Sequence, residues 1–240
     1  MLLTEYDALS DTERARLGPG YVDTRYDPPR WFPPTIEQAR AYVSAQPVSG
    51  LSQFALLARY GLDPSMRVLE IGYGALHTAR PLVAALDVGG YVGIDPNTWL
   101  SDAAFNDDPW LAGLMADKQA QLLDVTDFRA HGYRFDRIIS HSVLTHCSFD
   151  QMRQFIEAVG RQLRDEDSVA LCSVNIVPAA QEFYGYEWSY PDGVFWSLET
   201  LLDAADAAGV ALGRDEAART LHMGYCPDQT HDWITLRLDE

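Results

Sequence analysis

The chain has 240 residues and a formal net charge of −17, and hydrophobic residues make up 47% of it. These values predict a single α/β domain with an attached cap, and the acidic balance disfavours a nucleic-acid partner. The three cysteines are widely spaced, which fits reduced thiols better than disulfides or a zinc site. We expect a cytoplasmic protein without a membrane partner, because neither a signal peptide nor a membrane-spanning stretch is read.

The N-terminal quarter of the chain differs in pattern from the rest. The first 34 residues are polar with two proline pairs and are predicted to be irregular, whereas helices are predicted at residues 35–43 and 52–60. Residues 1–60 are therefore assigned to an N-terminal arm with cap helices. From Met66 strand and helix patterns alternate, which is typical of a parallel sheet, so residues 61–240 are assigned to the main domain.

The predicted elements describe a Rossmann-like, mostly parallel sheet of seven strands with helices on both faces. Strands are predicted at residues 67–71, 91–95, 120–124, 137–141, 168–175, 210–212 and 233–238. Between them, helical patterns cover residues 76–86, 149–163 and 198–208, with a part-helical acidic segment at 102–117 broken at Pro109. Pro81 is compatible with the first of these helices only in its first turn. An aromatic-rich insertion, residues 176–196, follows the fifth strand.

Two glycines and an aspartate mark the predicted binding site. The first strand ends in Gly72-Tyr73-Gly74, where the backbone turns sharply and a ligand can approach closely. The second strand ends at Asp95, at about the 20-residue spacing expected when an acid at the end of the neighbouring strand holds a ribose. The pattern predicts a nucleoside-binding crevice.

The residues around the turn disfavour a pyrophosphate cofactor. His77 occupies the position of the third glycine in the dinucleotide fingerprint, and Glu70 precedes the first glycine. A carboxylate at this place repels phosphates but suits a ligand with an ammonium or sulfonium charge.

At these residues the chain resembles the class I S-adenosylmethionine-dependent methyltransferases, whose first motif is an apolar strand, Glu or Asp, an apolar residue and Gly-x-Gly. It is most similar to a branch that reads L-E-I-G-C-G-x-L-R and then G-I-E-P-N-x-W-L, matched here at residues 69–77 and 93–100. Many members of the wider family have a third glycine at the position of Leu76, but a leucine is normal in that branch. Further matches at Leu123-Asp124, Phe135-Asp136, residues 142–146, His222 and residues 229–233 extend the resemblance over roughly residues 55–240.

The resemblance implies S-adenosylmethionine as the cofactor, bound by Glu70, Gly72, Gly74, Asp95, Asn97, Asp124 and Ser140. Glu70 and the two glycines are expected at the methionine end, and Asp95 at both ribose hydroxyls. Asp124 is expected at the adenine amino group, although an Asp at that place is equally expected simply to cap a turn. Asn97 and Trp99 are expected to border the adenine, although a buried tryptophan in a loop is more often part of the core.

Two histidines are candidate catalytic residues. His141 and His146 fall at or just past the end of the fourth strand, where open α/β sheets bind ligands. For a hydroxyl acceptor, a base with a pKa near neutrality adds about 10²–10⁴-fold to the rate. His146 matches the histidine of the branch's motif and is the first candidate, while a structural role is the alternative for either residue.

The aromatic insertion supplies the candidate acceptor-binding residues. Tyr184, Tyr186 and Trp188 are expected to line a wall or lid for a planar or glycosidic acceptor. The alternative is a hydrophobic cap on the core or a contact between two copies in a homodimer.

The function predicted from the sequence is enzymatic methyl transfer from S-adenosylmethionine to a small molecule, at an oxygen of a natural product or sugar-like metabolite. One alternative is a non-catalytic S-adenosylmethionine-binding partner of another protein. Another is an NAD(P)-dependent oxidoreductase, which the glycine turn also suits but which His77 and Glu70 disfavour.

Overall fold

The N-terminal part of the chain contains a strand pair in the computed structural model, which describes residues 20–24, 27–32, 49–185, 188–189, 193–227 and 229–239. Strands β1 (Gly20–Thr24) and β2 (Asp27–Phe32) pair antiparallel. The prediction of an irregular arm over the first 34 residues is therefore wrong for these two strands. The proline pair at residues 28–29 is compatible with β2 because one edge of each strand in a two-stranded sheet stays unpaired. The predicted helix at residues 35–43 lies outside the described residues.

A mixed sheet of seven strands forms the centre of the main domain, as predicted. Its strands are β3 (Val68–Ile71), β4 (Tyr91–Ile94), β5 (Gln121–Leu123), β6 (Arg137–Ser140), β7 (Val169–Val174), β8 (Val210–Arg214) and β9 (Asp232–Leu238). They lie in the order β5-β4-β3-β6-β7-β9-β8, and β9 runs antiparallel to both of its neighbours. Strands β4 and β5 lie on one side of β3, and β6 and β7 lie on the other, so the strand order reverses between β3 and β6. A crevice opens at the carboxyl ends of these two strands.

The described helices are α1 (Ser49–Arg59), α2 (Ala79–Ala85), α3 (Thr98–Asp107), α4 (Pro109–Asp117), α5 (Phe149–Gln162), α6 (Leu198–Ala207) and α7 (Glu216–Tyr225). Helix α2 begins at Ala79, later than predicted, and this places Pro81 in its first turn. The predicted break at Pro109 is confirmed, since Pro109 is the first residue of α4. Helix α7 was not predicted. It begins at Asp215, whose side chain accepts hydrogen bonds from the backbone amides of Ala217 and Ala218. None of the described helices combines the length and the apolar character needed to span a bilayer.

Apolar side chains pack on both faces of the sheet. On one face α5 buries Phe155, Ile156 and Val159, and the helix begins with a capping box between Ser148 and Gln151. The other face is covered by residues of α1, α2, α3 and α4. Each large apolar side chain that is fully buried in this way contributes about 1.5–3 kcal/mol relative to an exposed one.

Helix α1 packs on this second face even though the predicted division of the chain assigned residues 1–60 to a separate arm and cap. Leu56 and Leu57 have no exposed surface and belong to the same apolar cluster as Val68 and Leu82. The amino end of α1 also lies on the glycine turn, since a Cβ on Gly50 would come within 2.0 Å of the His77 carbonyl oxygen. Helix α1 is therefore packed into the core of the main domain.

Candidate functional site

The turn after β3 has the backbone geometry that its glycines predict. Gly72 and Gly74 have φ angles of +78° and +47°, in the left-handed region. A Cβ on Gly72 would lie 2.5 Å from Cγ2 of Val143. The loop after the neighbouring strand β6 therefore leaves no room for a side chain there. Leu76 also takes a left-handed conformation, with φ +61°, while its side chain is 1% exposed. Burial of the leucine side chain offsets the strain of its backbone.

Asp95 joins this turn to the end of β4. Its Oδ2 accepts a hydrogen bond from the Gly74 amide over 2.9 Å, and its Oδ1 accepts one from the Asn97 amide over 2.7 Å. Burial raises the pKa of the Asp95 carboxyl, and the bonds from Gly74 and Asn97 act in the opposite direction. Each carboxylate oxygen still has capacity for a further donor, so the carboxylate can also accept from two hydroxyls.

Glu70 is almost fully enclosed. Its side chain is 4% exposed, and the Tyr91 hydroxyl donates a 2.6 Å hydrogen bond to its Oε2. Burial raises the pKa of Glu70 to about 8, against the lowering effect of hydrogen bonds with Tyr91 and Thr78. The free protein therefore holds this carboxyl largely protonated at neutral pH.

The remaining candidate cofactor residues lie at the same edge of the sheet. Asp124 follows β5 and is exposed, and its negative charge contributes to the raised pKa of Asp95. Asn97 is buried beside Asp95. Ser140, the last residue of β6, is buried and donates a 3.1 Å hydrogen bond to the Ile71 carbonyl, so it fixes the end of β3 immediately before the turn. The fold thus brings the predicted residues together along the carboxyl ends of β3, β4, β5 and β6.

His146 is held in a defined orientation by the aromatic insertion. Its Nδ1 donates a 2.8 Å hydrogen bond to the Ser189 carbonyl, and the Ser189 amide donates back to the His146 carbonyl over 2.8 Å. A carbonyl oxygen only accepts, so the proton of the neutral ring lies on Nδ1 and Nε2 is the basic nitrogen. The ring of Trp188 lies 5.7 Å from that of His146, and its buried Nε1 has no hydrogen-bond partner among the described residues.

The insertion after β7 covers the segment that carries His146. The Val194 amide donates to the Thr145 carbonyl over 2.7 Å, and Trp196 Nε1 donates to the Leu144 carbonyl over 2.9 Å. The Tyr184 ring stacks on Trp196 with centroids 4.7 Å apart and remains 38% exposed. Tyr186 lies outside the described residues.

His141, a candidate catalytic residue by sequence, lies in a cluster with two other histidines. Its ring lies 5.0 Å from that of His222 on α7 and 5.3 Å from that of His231, just before β9. Burial lowers the pKa of His141 well below its usual value, and the neighbouring histidines lower it further. The same causes lower the pKa of His231 to about 4. Because β9 is antiparallel, its first residue reaches the carboxyl edge, which the chain position of His231 alone did not indicate.

Comparisons with known proteins identify the fold. No family model and no curated protein matches the sequence. Among solved structures, magnesium protoporphyrin IX methyltransferase from Synechocystis PCC 6803 with bound S-adenosylmethionine is 13% identical over 98% of this chain and 94% of its own, with a TM-score of 0.55. The glycopeptide N-methyltransferase MtfA is 14% identical over 79% of this chain and 90% of its own, with a TM-score of 0.57.

A third similar structure has a different activity. The cyclase SpnF is 15% identical over 80% of this chain and 81% of its own, with a TM-score of 0.57. At such identities the likeness defines the architecture and not the reaction. Strand order, the antiparallel β9 and these neighbours together show that the chain has the Rossmann-like fold of the class I methyltransferases.

Proposed function

We propose that this protein binds S-adenosylmethionine at the carboxyl ends of β3 and β4 and transfers its methyl group to an oxygen of a small molecule. The observation that carries the proposal is the contact between Asp95 and the Gly74 amide, which joins a carboxylate to a glycine turn at the edge where this fold binds ligands. Two solved structures of similar fold, the Synechocystis enzyme and human N-acetylserotonin methyltransferase, contain S-adenosylmethionine.

The proposed cofactor contacts follow the order of the strands. The methionine end lies against the backbone of Gly72 and Gly74, with its ammonium group next to Glu70. The ribose hydroxyls donate to Asp95, which as an ionised acceptor forms stronger hydrogen bonds than a neutral group. Asn97 and Asp124, which follow β4 and β5, border the adenine, and Ser140 positions the turn through the Ile71 carbonyl.

On the acceptor side, His146 is the proposed general base. Its Nδ1 is committed to the Ser189 carbonyl, so Nε2 accepts the proton of an acceptor hydroxyl. The bond from the sulfonium sulfur to the methyl carbon breaks as the bond from the acceptor oxygen to that carbon forms. S-adenosylhomocysteine leaves, and the proton passes to His146.

The insertion supplies groups that recognise the acceptor. Trp188 offers an aromatic surface beside His146 and a buried N–H donor, and Tyr184 adds a second aromatic face, stacked on Trp196. Tyr186 stays a predicted acceptor contact from the sequence. Aromatic faces combined with a few polar groups suit a phenolic or glycosidic small molecule. The net charge of −17 repels nucleic-acid backbones, which supports a small acceptor.

His141 is the weaker candidate for the base. Burial and the adjacent histidines lower its pKa well below its usual value, so the ring is a poor proton acceptor at neutral pH. A role in placing the acceptor or another ligand suits it better.

Calorimetric titration with S-adenosylhomocysteine tests the cofactor site. We expect submillimolar binding to the wild-type chain, and about 10- to 100-fold weaker binding by Asp95→Asn, because hydrogen bonds to a charged group contribute roughly 1.5–3 kcal/mol. Asp136→Asn is the matched control, since Asp136 also accepts from a backbone amide, that of Arg67, but at the amino end of the strands. Absence of binding to the wild-type chain, or equal loss in both variants, contradicts the proposal.

A further inference from the structure

Three histidine rings converge at the carboxyl edge of the sheet. Their centroids lie 5.0 Å apart for His141 and His222, 5.3 Å for His141 and His231, and 6.3 Å for His222 and His231. Three imidazoles that ligate one tetrahedral zinc ion at about 2.0–2.1 Å place their centroids about 5 Å from one another. Two of the three separations already have this value.

Two of the three rings have a buried nitrogen without a partner. His141 Nε2 and His231 Nδ1 have no hydrogen-bond partner within the part of the chain that the structure describes. The His222 ring, whose Nδ1 lies next to Ser52, also interacts with the Gln229 side chain. Buried polar atoms of this kind are rare because they lose hydration without compensation. Two such atoms, beside a third imidazole, indicate a shared ligand that is electron-poor.

The other nitrogen of His222 is held by a side chain outside the cluster. Its Nδ1 lies 2.8 Å from the Ser52 hydroxyl on α1, which fixes the orientation of the ring and leaves Nε2 as the nitrogen that can ligate. Asp232, the residue after His231, carries the carboxylate nearest in sequence to that histidine, and it forms a 2.9 Å ion pair with Arg214. The cluster therefore offers a ligand set of imidazoles.

We propose that His141, His222 and His231 bind a divalent transition-metal ion of the zinc class, through His141 Nε2, His222 Nε2 and His231 Nδ1. One ligand atom of each residue lies within 4.8 Å of those of the others. Nitrogens around a tetrahedral zinc are about 3.3 Å apart, so small ring rotations complete the site. Imidazole suits zinc, copper, iron and nickel, whereas calcium and magnesium prefer oxygen.

The electrostatics of the site agree with a bound cation. Metal ions bind the neutral imidazole, and burial keeps all three rings neutral at physiological pH by lowering the pKa of each. The strongly acidic chain also attracts cations. Packing alone does not account for the cluster, because His141 stacks on Trp233 without giving its Nε2 a partner.

Three protein ligands leave one position of a four-coordinate ion for another group. The site lies directly after β6, on the side where the acceptor is proposed to bind. A bound ion would leave this position to an oxygen of the acceptor, and it would acidify the acceptor hydroxyl. This last step rests on the proposed function, whereas the metal site itself does not.

Titration of the metal-free protein with Zn²⁺ alone, in the absence of any cofactor, tests the site. Calorimetry and native mass spectrometry are expected to give one ion per chain, and Co²⁺ is expected to give the visible absorption of imidazole-bound cobalt. His141→Gln and His231→Gln are expected to abolish both signals. Ser52→Ala is expected to weaken binding about 10- to 100-fold, as loss of a ligand's supporting hydrogen bond does.

The matched control is His131→Ala, because His131 is exposed and pairs with Asp127 away from the cluster. It is expected to bind Zn²⁺ like the wild-type chain, and thermal unfolding of each metal-free variant shows that it is folded. Absence of stoichiometric Zn²⁺ binding, or binding by folded His141→Gln and His231→Gln that equals wild type, overturns the proposal. Zn²⁺ binding without S-adenosylhomocysteine binding leaves the metal site standing and contradicts only the proposed function.

Discussion

The Gly74 amide donates a 2.9 Å hydrogen bond to Asp95 Oδ2, and this contact connects the two strongest sequence signals in the chain. Gly74 belongs to the turn after β3, and Asp95 follows the adjacent parallel strand β4. The carboxylate thereby fixes the turn and keeps acceptor capacity for a ligand. The proposed cofactor binding and the local stability would consequently depend on the same side chain.

Glu70 is predicted to release a proton when the cofactor binds. Burial raises its pKa to about 8, so the carboxyl of the free protein is mostly protonated at neutral pH. A nearby ammonium group favours the charged form and lowers this pKa, so binding near pH 7 releases up to about one proton. The release is measured from the dependence of the binding enthalpy for S-adenosylhomocysteine on the ionisation enthalpy of the buffer.

Glu70→Gln should eliminate this buffer dependence, whereas Glu157→Gln should preserve it, because Glu157 is an exposed carboxylate paired with Arg161. Tight binding by the wild-type chain without proton release would show that Glu70 does not contact the ammonium group.

At position 76, glycine is predicted to give a more stable protein than alanine, which is the reverse of the usual order. Leu76→Ala removes a buried side chain but keeps a Cβ at φ +61°, whereas Leu76→Gly also relieves the backbone strain. Loss of a buried leucine side chain costs about 2–5 kcal/mol. Strain relief returns about 1 kcal/mol, so Leu76→Gly is expected to be the more stable of the two variants. Urea unfolding gives both free energies, and the opposite order would refute the strained conformation.

Gly72→Ala is predicted to destabilise the protein by about 1–3 kcal/mol or more, from overpacking and left-handed backbone strain. The new Cβ would lie 2.5 Å from the stiff side chain of Val143, at φ +78°. Gly113→Ala in α4 is the control, because a Cβ there meets nothing within 4 Å. Alanine favours that helix by about 0.5–1 kcal/mol. Equal unfolding free energies for the two variants would exclude the steric argument.

His146→Ala is predicted to lower turnover about 10²- to 10⁴-fold, the usual contribution of a general base. Affinity for S-adenosylhomocysteine should stay close to wild type, because the proposed cofactor contacts are made by other residues and His146 is hydrogen-bonded to the insertion through Ser189. The measurement is methyl transfer to an acceptor found by screening phenols and sugars. His131→Ala serves as the control, and unchanged turnover in His146→Ala would remove this residue as the base.

The sequence predicted the sheet and α5 well because local pattern and tertiary packing agree there. Met152, Phe155, Ile156 and Val159 recur at helical spacing and lie on one buried face. The proximity of Asp95 to the glycine turn was also predictable, because the carboxyl ends of parallel strands lie at one edge of the sheet.

Features that depend on contacts distant in sequence were not predictable in the same way. The pairing of β1 with β2 was missed because paired prolines are typical of irregular chain. The burial of Glu70 depends on Tyr91 from the neighbouring strand, which no motif specifies. His222 and His231 reach His141 only because α7 and the antiparallel β9 fold back to the carboxyl edge. The Asp215 cap was the local signal by which α7 could have been found.

A crystal structure with S-adenosylhomocysteine bound tests the central claim most directly. The account predicts both ribose hydroxyls at hydrogen-bond distance, about 2.6–3.2 Å, from the Asp95 carboxylate. It also predicts that the sulfur faces the space between His146 and Trp188. A ligand bound elsewhere, or a sulfur that faces away from His146, would contradict it.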